Sequence, residues 1–139
     1  MSKRKIDGII DTSALYPLLK KVGASAASLL PRLAVLDLTK YELGNVVWKE
    51  YKLGLLNEWK SCIVYWSKII EEMPSYSIEL QNLVQVEGIA VERDLTFYDA
   101  SYVYVSETYN LKLVTLDEDL LNKCKNSISL DEFLDDNLQ

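Results

Sequence analysis

The stretch Ile6-Asp7-Gly8-Ile9-Ile10, followed by Asp11-Thr12-Ser13, decides the fold that this sequence predicts. Its first half is a short apolar run rich in isoleucine, which is typical of a buried strand. Asp, Thr and Ser are residues that cap helix N-termini, so a helix is predicted to begin directly after the strand. A strand that passes straight into a helix is the unit from which α/β proteins are built.

The rest of the chain repeats this alternation. Further strands are predicted at residues 33–38 and 111–116, with short ones at 76–78 and 128–129. Helices are predicted at 14–21 (with Pro17 in the first turn and Gly23 as the break), 24–30, 39–53 (ended by Gly54), 55–73, 79–91, 96–109, 118–123 and 130–134. Strands separated by helices predict a mostly parallel sheet of four to five strands with helices on both faces. We expect one α/β domain over residues 1–139.

Composition excludes several classes of function. The 139 residues contain no histidine, so a catalytic triad with histidine and an ordinary zinc site are both excluded. The two cysteines, Cys62 and Cys124, lie in helical patterns and are interpreted as buried thiols, which predicts a cytoplasmic protein. Charged residues interrupt every apolar window, so no membrane span is expected. The net charge of −6 argues against simple electrostatic binding of nucleic acid.

Four acidic residues share a placement that no other four acids have. Asp11 and Asp117 end predicted strands, whereas Glu42 and Asp99 each follow a helix-starting threonine by three residues, as in Thr39-Lys40-Tyr41-Glu42 and Thr96-Phe97-Tyr98-Asp99. Ligands of open parallel sheets bind outside the carboxyl ends of the strands, so these side chains are expected to converge there. Two carboxylates 4 Å apart repel by about 4 kcal/mol at an effective dielectric near 20. A cluster of four is therefore best explained by a hard divalent cation, Mg²⁺ or Mn²⁺.

Each acid also has a purely structural interpretation. Asp11 and Asp117 are suitable helix caps, and Thr39…Glu42 fits the capping-box pattern, with Thr96…Asp99 as its shorter-acid variant. Caps have no reason to cluster at one edge of a sheet, so the structural interpretation weakens when the four residues are taken together.

The four acids lie in motifs that resemble those of the PIN-domain ribonucleases, in that family's order and over nearly the whole chain. The motifs are Ile9-Ile10-Asp11-Thr12-Ser13-Ala14-Leu15, Asp37-Leu38-Thr39-Lys40-Tyr41-Glu42-Leu43-Gly44-Asn45, Leu95-Thr96-Phe97-Tyr98-Asp99-Ala100-Ser101-Tyr102 and Leu113-Val114-Thr115-Leu116-Asp117-Glu118-Asp119-Leu120. The size and the Tyr98–Tyr102 run are most similar to VapC-type toxins of toxin–antitoxin pairs. The fold expected from the resemblance is the PIN-like α/β fold.

The resemblance implies roles for named residues. Asp11, Glu42, Asp99 and Asp117 would be catalytic and hold one or two Mg²⁺ or Mn²⁺ ions, with Asp119 as a further ligand or an alternative to Asp117. Ser13 and Thr115 would orient carboxylates, and Asn45 would do the same or contact the substrate. The implied function is a metal-dependent endoribonuclease, for which two divalent ions would offset four of the six excess negative charges.

The implied partners are single-stranded or looped RNA, a small antitoxin and a second copy of the chain in a homodimer. The aromatic residues Trp48, Tyr51, Trp59, Tyr65 and Trp66 are interpreted either as core or as a groove for an apolar antitoxin helix. Two alternatives to the toxin stay open: a PIN nuclease of RNA processing or turnover without an antitoxin, and a non-catalytic PIN-like binding module.

Two other α/β families that use acids at this sheet edge fit poorly. A receiver-like phospho-signalling domain needs adjacent acids after the first strand, and Asp11-Thr12 supplies no pair. A haloacid-dehalogenase-like phosphatase needs an aspartate two residues after Asp11, where Ser13 stands.

Overall fold

A parallel sheet of five strands forms the centre of the molecule. The computed structural model describes residues 5–21 and 27–137. Its strands are β1 (Gly8–Ile10), β2 (Leu33–Leu36), β3 (Ser75–Tyr76), β4 (Lys112–Thr115) and β5 (Ser127–Ser129). They lie in the order β3-β2-β1-β4-β5, and each neighbouring pair is parallel. The predicted α/β class and parallel sheet are confirmed.

Helices cover both faces of the sheet. Successive strand residues point to opposite sides, and the apolar side chains on each side are buried against helices. The α-helices of the described residues are α1 (Thr12–Lys21), α2 (Thr39–Lys52), α3 (Trp59–Glu71), α4 (Leu83–Arg93), α5 (Phe97–Thr108), α6 (Glu118–Lys123) and α7 (Leu130–Asn137). Ile10 and Val114 pack in one core with α1, α2, α3 and α7. Ile9 and Leu113 pack in the other, against α5 and α6, with α4 at its border. Both isoleucines are fully buried, as the opening strand predicts.

The two central strands approach each other closely at Gly8. A Cβ atom on residue 8 would lie 2.9 Å from the carbonyl oxygen of Lys112 on β4. The close pairing of β1 with β4 therefore depends on the absence of a side chain at this position.

Helix boundaries differ from the prediction where a cap or a turn intervenes. Helix α1 begins at Thr12, because Asp11 accepts a hydrogen bond from the amide of Ala14, so the prediction that Pro17 lies in the first turn was wrong. Residues 55–58 are not helical, and α3 begins only at Trp59. A 3₁₀ turn, Leu80–Asn82, precedes α4. The predicted break at Gly23 and the first part of the predicted helix 24–30 lie outside the described residues. The prediction was wrong for residues 27–30, which form no α-helix, and Leu30–Arg32 is a 3₁₀ turn.

Helix α2 ends in a Schellman motif. Gly54 has a positive φ of 76°, and its amide bonds to the carbonyl of Tyr51 at 3.1 Å. The amide of Leu55 reaches back to the carbonyl of Glu50 at 2.9 Å. Both bonds satisfy carbonyls that the helix end leaves unpaired. The predicted role of Gly54 is confirmed.

None of the helices in the described ranges combines the length and apolarity that crossing a bilayer would require.

Candidate active site

The four acids lie where the chain changes direction across the sheet. The strand order runs outward from β1 to β3, and the chain then returns to place β4 on the other side of β1. Asp11 follows β1 and Asp117 follows β4, while Glu42 and Asp99 lie in the first turns of α2 and α5. This crevice at the carboxyl ends of the strands is where open α/β sheets bind ligands.

Asp11 is a buried carboxylate, 5% exposed, surrounded by donors. Its Oδ1 accepts hydrogen bonds from the Ser13 hydroxyl at 2.6 Å and the Ala14 amide at 3.1 Å, and its Oδ2 accepts one from the Thr115 hydroxyl at 2.5 Å. Burial raises the pKa of Asp11, whereas the hydrogen bonds from Ser13, Thr115 and Ala14 lower it and the negative charge of Glu42 raises it further.

Ser13 and Thr115 connect the end of β4 to Asp11. Each hydroxyl donates to Asp11 and accepts a backbone amide, that of Leu116 for Ser13 (3.1 Å) and that of Asp117 for Thr115 (3.0 Å). The two residues thus lie where the sequence places them, beside the acids whose orientation they set.

Glu42 is held by hydroxyl groups and not by a capping box. Its Oε1 accepts from Thr12 at 3.0 Å and from Tyr102 at 2.7 Å. The predicted capping-box partner, Thr39, instead accepts the amide of Leu36, and no side chain caps α2. The structural interpretation of Glu42 was therefore wrong.

Asp99 shows that the four acids act on one another. Burial raises the pKa of Asp99 to about 6, and the negative charges of Asp117, Asp11 and Glu42 raise it in the same direction, partly offset by a hydrogen bond with Thr96. The Thr96 hydroxyl does cap α5, since it accepts the Asp99 amide at 3.1 Å. Thr96 therefore both caps α5 and partly offsets the rise in the pKa of Asp99.

Asp117 and Asp119 differ in their surroundings. Asp117 caps α6 through the amide of Leu120 at 3.1 Å and belongs to the charges that act on Asp99. Asp119 is exposed and pairs with Lys123 at 3.4 Å. The structure thus brings Asp117, and not Asp119, into the electrostatic surroundings of Asp99.

A cavity of about 350 Å³ leads away from the acids between α1 and α2. Its lining residues are Thr12, Ser13, Tyr16, Pro17, Glu42, Asn45 and Val46. Asn45 is exposed, one turn beyond Glu42, so its amide faces space that a substrate can enter. Lys20 and Lys21, at the end of α1, form ion pairs with Glu50 and Asp131.

Sequence reasoning missed three polar residues that support Glu42: Thr12, Thr39 and Tyr102. Tyr102 is 1% exposed, and its hydroxyl lies 3.0 Å from that of Thr39. Burial and the charge of Glu42 raise the pKa of Tyr102, so its hydroxyl stays protonated. The one signal in the sequence was a tyrosine three residues after Asp99, on the same side of a helix.

The donor set fits a hard cation in chemistry. It consists of carboxylate oxygens, and the repulsion that raises the pKa of Asp99 is the kind that a divalent ion relieves. Within residues 5–21 and 27–137, no three acidic or cysteine side chains already surround a common point closely enough to hold an ion. The residues that would hold such an ion are the four acids of the crevice, Asp11, Glu42, Asp99 and Asp117.

A second surface lies between α2 and α3. Trp66 is buried and contacts Tyr16 edge to face at 5.0 Å, but Trp48, Tyr51, Trp59 and Tyr65 are exposed, Trp48 by 59%. Two cavities of about 410 and 340 Å³ meet here at Gly44 and Ile63. The interpretation of these aromatic residues as core was wrong for all except Trp66.

Comparison with known proteins places the chain in a family. It is 40% identical to Exonuclease VapC9 of Pyrobaculum aerophilum over 129 residues, which cover 93% of this chain and 94% of that protein. The chain belongs to the VapC family of PIN-domain proteins. Ribonuclease VapC3 of the same organism is 30% identical over 126 residues, covering 83% and 92% of the two chains. A scan against family models finds no match.

Solved structures agree with the VapC fold. A Pyrobaculum aerophilum protein known from its crystal structure superimposes with a TM-score of 0.84 at 38% identity, covering 96% of this chain and 97% of that one. A chain of a toxin–antitoxin complex from Klebsiella pneumoniae gives a TM-score of 0.64 at 16% identity, covering 89% and 98%. The second likeness concerns the fold alone.

Proposed function

We propose that this VapC-family protein is a metal-dependent endoribonuclease, the toxin of a toxin–antitoxin pair. The observation that carries the proposal is the crevice at the carboxyl ends of β1 and β4, where Asp11 and Asp117 meet the first-turn acids Glu42 and Asp99. Burial there, together with the charges of the other three acids, raises the pKa of Asp99 to about 6. Its relatives named Exonuclease VapC9 and Ribonuclease VapC3 support a nuclease. The proposed ligands are Asp11, Glu42, Asp99 and Asp117, with Asp119 at most in an outer position.

The residues of the chain prepare the crevice for one or two Mg²⁺ or Mn²⁺ ions. Such an ion, when bound, supplies Lewis-acid chemistry for the attack of water on a phosphodiester. Ser13 and Thr115 keep Asp11 fixed, and Thr12 and Tyr102 do the same for Glu42, so the chain meets a cation with two ordered carboxylates. Attack by water does not use the ribose 2′-hydroxyl, so no 2′,3′-cyclic phosphate forms. We expect the bond from phosphorus to the 3′-oxygen to break, which leaves 5′-phosphate and 3′-hydroxyl ends.

The test is cleavage of a mixed single-stranded RNA pool with Mg²⁺ or Mn²⁺ and with EDTA. We expect cutting that needs the metal and that falls at least 100-fold in Asp11→Asn and Asp99→Asn, in keeping with the loss of a group that stabilises the transition state. Asp136→Asn, an exposed acid near the end of α7, is the matched control. Comparing Asp117→Asn with Asp119→Asn separates the two candidates for the fourth ligand. Metal-independent cutting, or none, would contradict the proposal.

A circular RNA distinguishes the two kinds of nuclease. An endonuclease opens a circle, whereas an exonuclease needs a free end and leaves it intact. We expect opening. If the circle stays intact while a linear RNA of the same sequence is degraded, the protein is an exonuclease and not an endonuclease.

The groove between α2 and α3 favours the toxin over a nuclease without an antitoxin. Three exposed aromatic residues, Trp48, Tyr51 and Trp59, and two adjoining apolar cavities form a surface suited to an apolar helix of a small antitoxin. A short gene immediately upstream would support this partner. The homodimer and the cytoplasmic location stay predictions, and light scattering tests the first of them.

A further inference from the structure

One oxygen of Glu42 is fully occupied by the protein itself. Oε1 accepts hydrogen bonds from both Thr12 and Tyr102, at 3.0 and 2.7 Å. A carboxylate oxygen has two lone pairs, so these two donors use its full capacity. No donor among the described residues bonds to Oε2. The two oxygens of Glu42 are therefore inequivalent before any ligand arrives.

The hydrogen bonds behind Oε1 have only one consistent direction. An ionised carboxylate only accepts, so the Tyr102 hydroxyl donates to Glu42. Tyr102 must then accept from Thr39, whose own oxygen accepts the amide of Leu36 at 3.1 Å. The hydrogen bonds therefore follow one another. The Leu36 amide at the end of β2 donates to Thr39, Thr39 donates to Tyr102, and Tyr102 donates to Glu42.

This chain makes the orientation of Glu42 difficult to change. Thr39 is fully buried and Tyr102 nearly so, which keeps water from replacing either hydroxyl. Rotating the carboxylate to offer both oxygens would leave buried hydroxyl donors without an acceptor, which is unfavourable inside a protein. Thr12, at the start of α1, restrains the same oxygen from a second direction.

We propose that Tyr102 and Thr12 are positioning residues that limit Glu42 to one coordinating oxygen and thereby favour Mg²⁺ or Mn²⁺ over Ca²⁺. Mg²⁺ requires a near-ideal octahedron, whereas Ca²⁺ takes six to eight oxygens and readily accepts both oxygens of one carboxylate. If Oε1 is not available, Glu42 cannot offer both of its oxygens to one ion, and only Ca²⁺, the larger ion, would use both. This inference rests on the proposed function, since it needs the acids to bind a metal.

The experiment measures dissociation constants for Mg²⁺ and Ca²⁺ by calorimetry on the metal-free full chain, without substrate. Tyr102→Phe removes one donor and keeps the ring, and Thr12→Val removes the other with little change of shape. The control is Tyr104→Phe on the same helix, whose hydroxyl makes no hydrogen bond to Glu42 in the described structure. Melting temperatures show whether each variant is folded.

We expect Tyr102→Phe to weaken Mg²⁺ binding about 10-fold or more, in the range found when a residue that orients a ligand is lost. Ca²⁺ binding should weaken much less or strengthen, so the preference for Mg²⁺ falls, and Thr12→Val should shift it the same way. Tyr104→Phe should change neither constant.

If Tyr102→Phe weakens the binding of Mg²⁺ and of Ca²⁺ by the same factor, the proposed preference for Mg²⁺ is overturned, because a merely structural role weakens the binding of both ions alike. Unchanged constants would overturn the positioning role. If Tyr102→Phe is unfolded, the same criteria apply to Thr12→Val alone. A wild-type chain that binds neither ion would refute the proposed function and this inference with it, whereas an unchanged preference in a metal-binding protein refutes only the inference.

Discussion

Asp99 is the residue at which the electrostatic strain of the crevice is concentrated. Its pKa is raised from 3.8 to about 6, so the folded, metal-free protein binds this proton more tightly than the unfolded chain does. The penalty for the ionised form is fully present above pH 6. It disappears as the pH falls through the folded pKa towards 3.8.

We therefore predict that Asp99→Asn stabilises the metal-free protein at pH 7.5. The expected gain is about 1 kcal/mol, well below the full value of the shift because half-exposed charges are screened by solvent. The gain should shrink between pH 6 and 4. Denaturant unfolding in EDTA at several pH values measures it, with Asp136→Asn as the control. A difference between Asp99→Asn and wild type that does not depend on pH would contradict this origin.

Residue types and spacing were enough to predict that these acids lie at one edge of the sheet, but not which side chains hydrogen-bond to them. Asp11, Glu42, Asp99 and Asp117 were identified because each lies at a predictable place after a strand or in a first helical turn. Tyr102 was missed because its link to Glu42 joins residues 60 apart in sequence, and a tyrosine among valines looks like core. Contacts between distant elements leave no local pattern.

At the scale of elements, a glycine decides where α2 ends. Gly54 adopts φ of 76°, a conformation that side chains other than glycine rarely take. We predict that Gly54→Ala costs about 1 kcal/mol of unfolding free energy. Gly88, inside α4 with open space beside it, is the matched control: Gly88→Ala should stabilise by about 0.5 to 1 kcal/mol. Chemical denaturation gives both values, and equal effects would contradict the role of the left-handed turn.

The types of the strands and of the longer helices were predictable, whereas the short segment before β2 was predicted as a helix and forms 3₁₀ turns. Boundaries were not predictable where backbone hydrogen bonds decide them. The predicted helix 118–123 agrees with α6, because Asp117 is a cap visible in the sequence. The predicted helix 55–73 began too early. Leu55 and Leu56 have a helical apolar pattern, but the amide of Leu55 is already used to close α2. An apolar pattern does not reveal such competition for a backbone amide.

At the scale of the whole molecule, the crevice and the aromatic groove share α2 but use different sides of it. Glu42 and Asn45 line the cavity near the acids, whereas Trp48 and Tyr51 line the groove. A partner seated in the groove therefore lies on the other side of α2 from the cavity near the acids.

We predict that Trp48→Ala combined with Trp59→Ala weakens the binding of a co-expressed antitoxin at least 100-fold, as loss of exposed aromatic contacts does at the centre of an interface. RNA cleavage by the isolated variant should stay within about 2-fold, because neither residue lines the crevice. Calorimetry with the product of a neighbouring short gene measures the first effect. Unchanged binding would place the antitoxin elsewhere.

The absence of a side chain at Gly8 also affects the position of Asp11. Asp11 and Thr115 meet across β1 and β4, the two strands that Gly8 allows to approach. A methyl group there would force those strands apart three residues upstream of Asp11 and disturb the 2.5 Å contact that fixes it. The smallest residue of the opening strand thus helps to set the position of Asp11, although it is not one of the four acids.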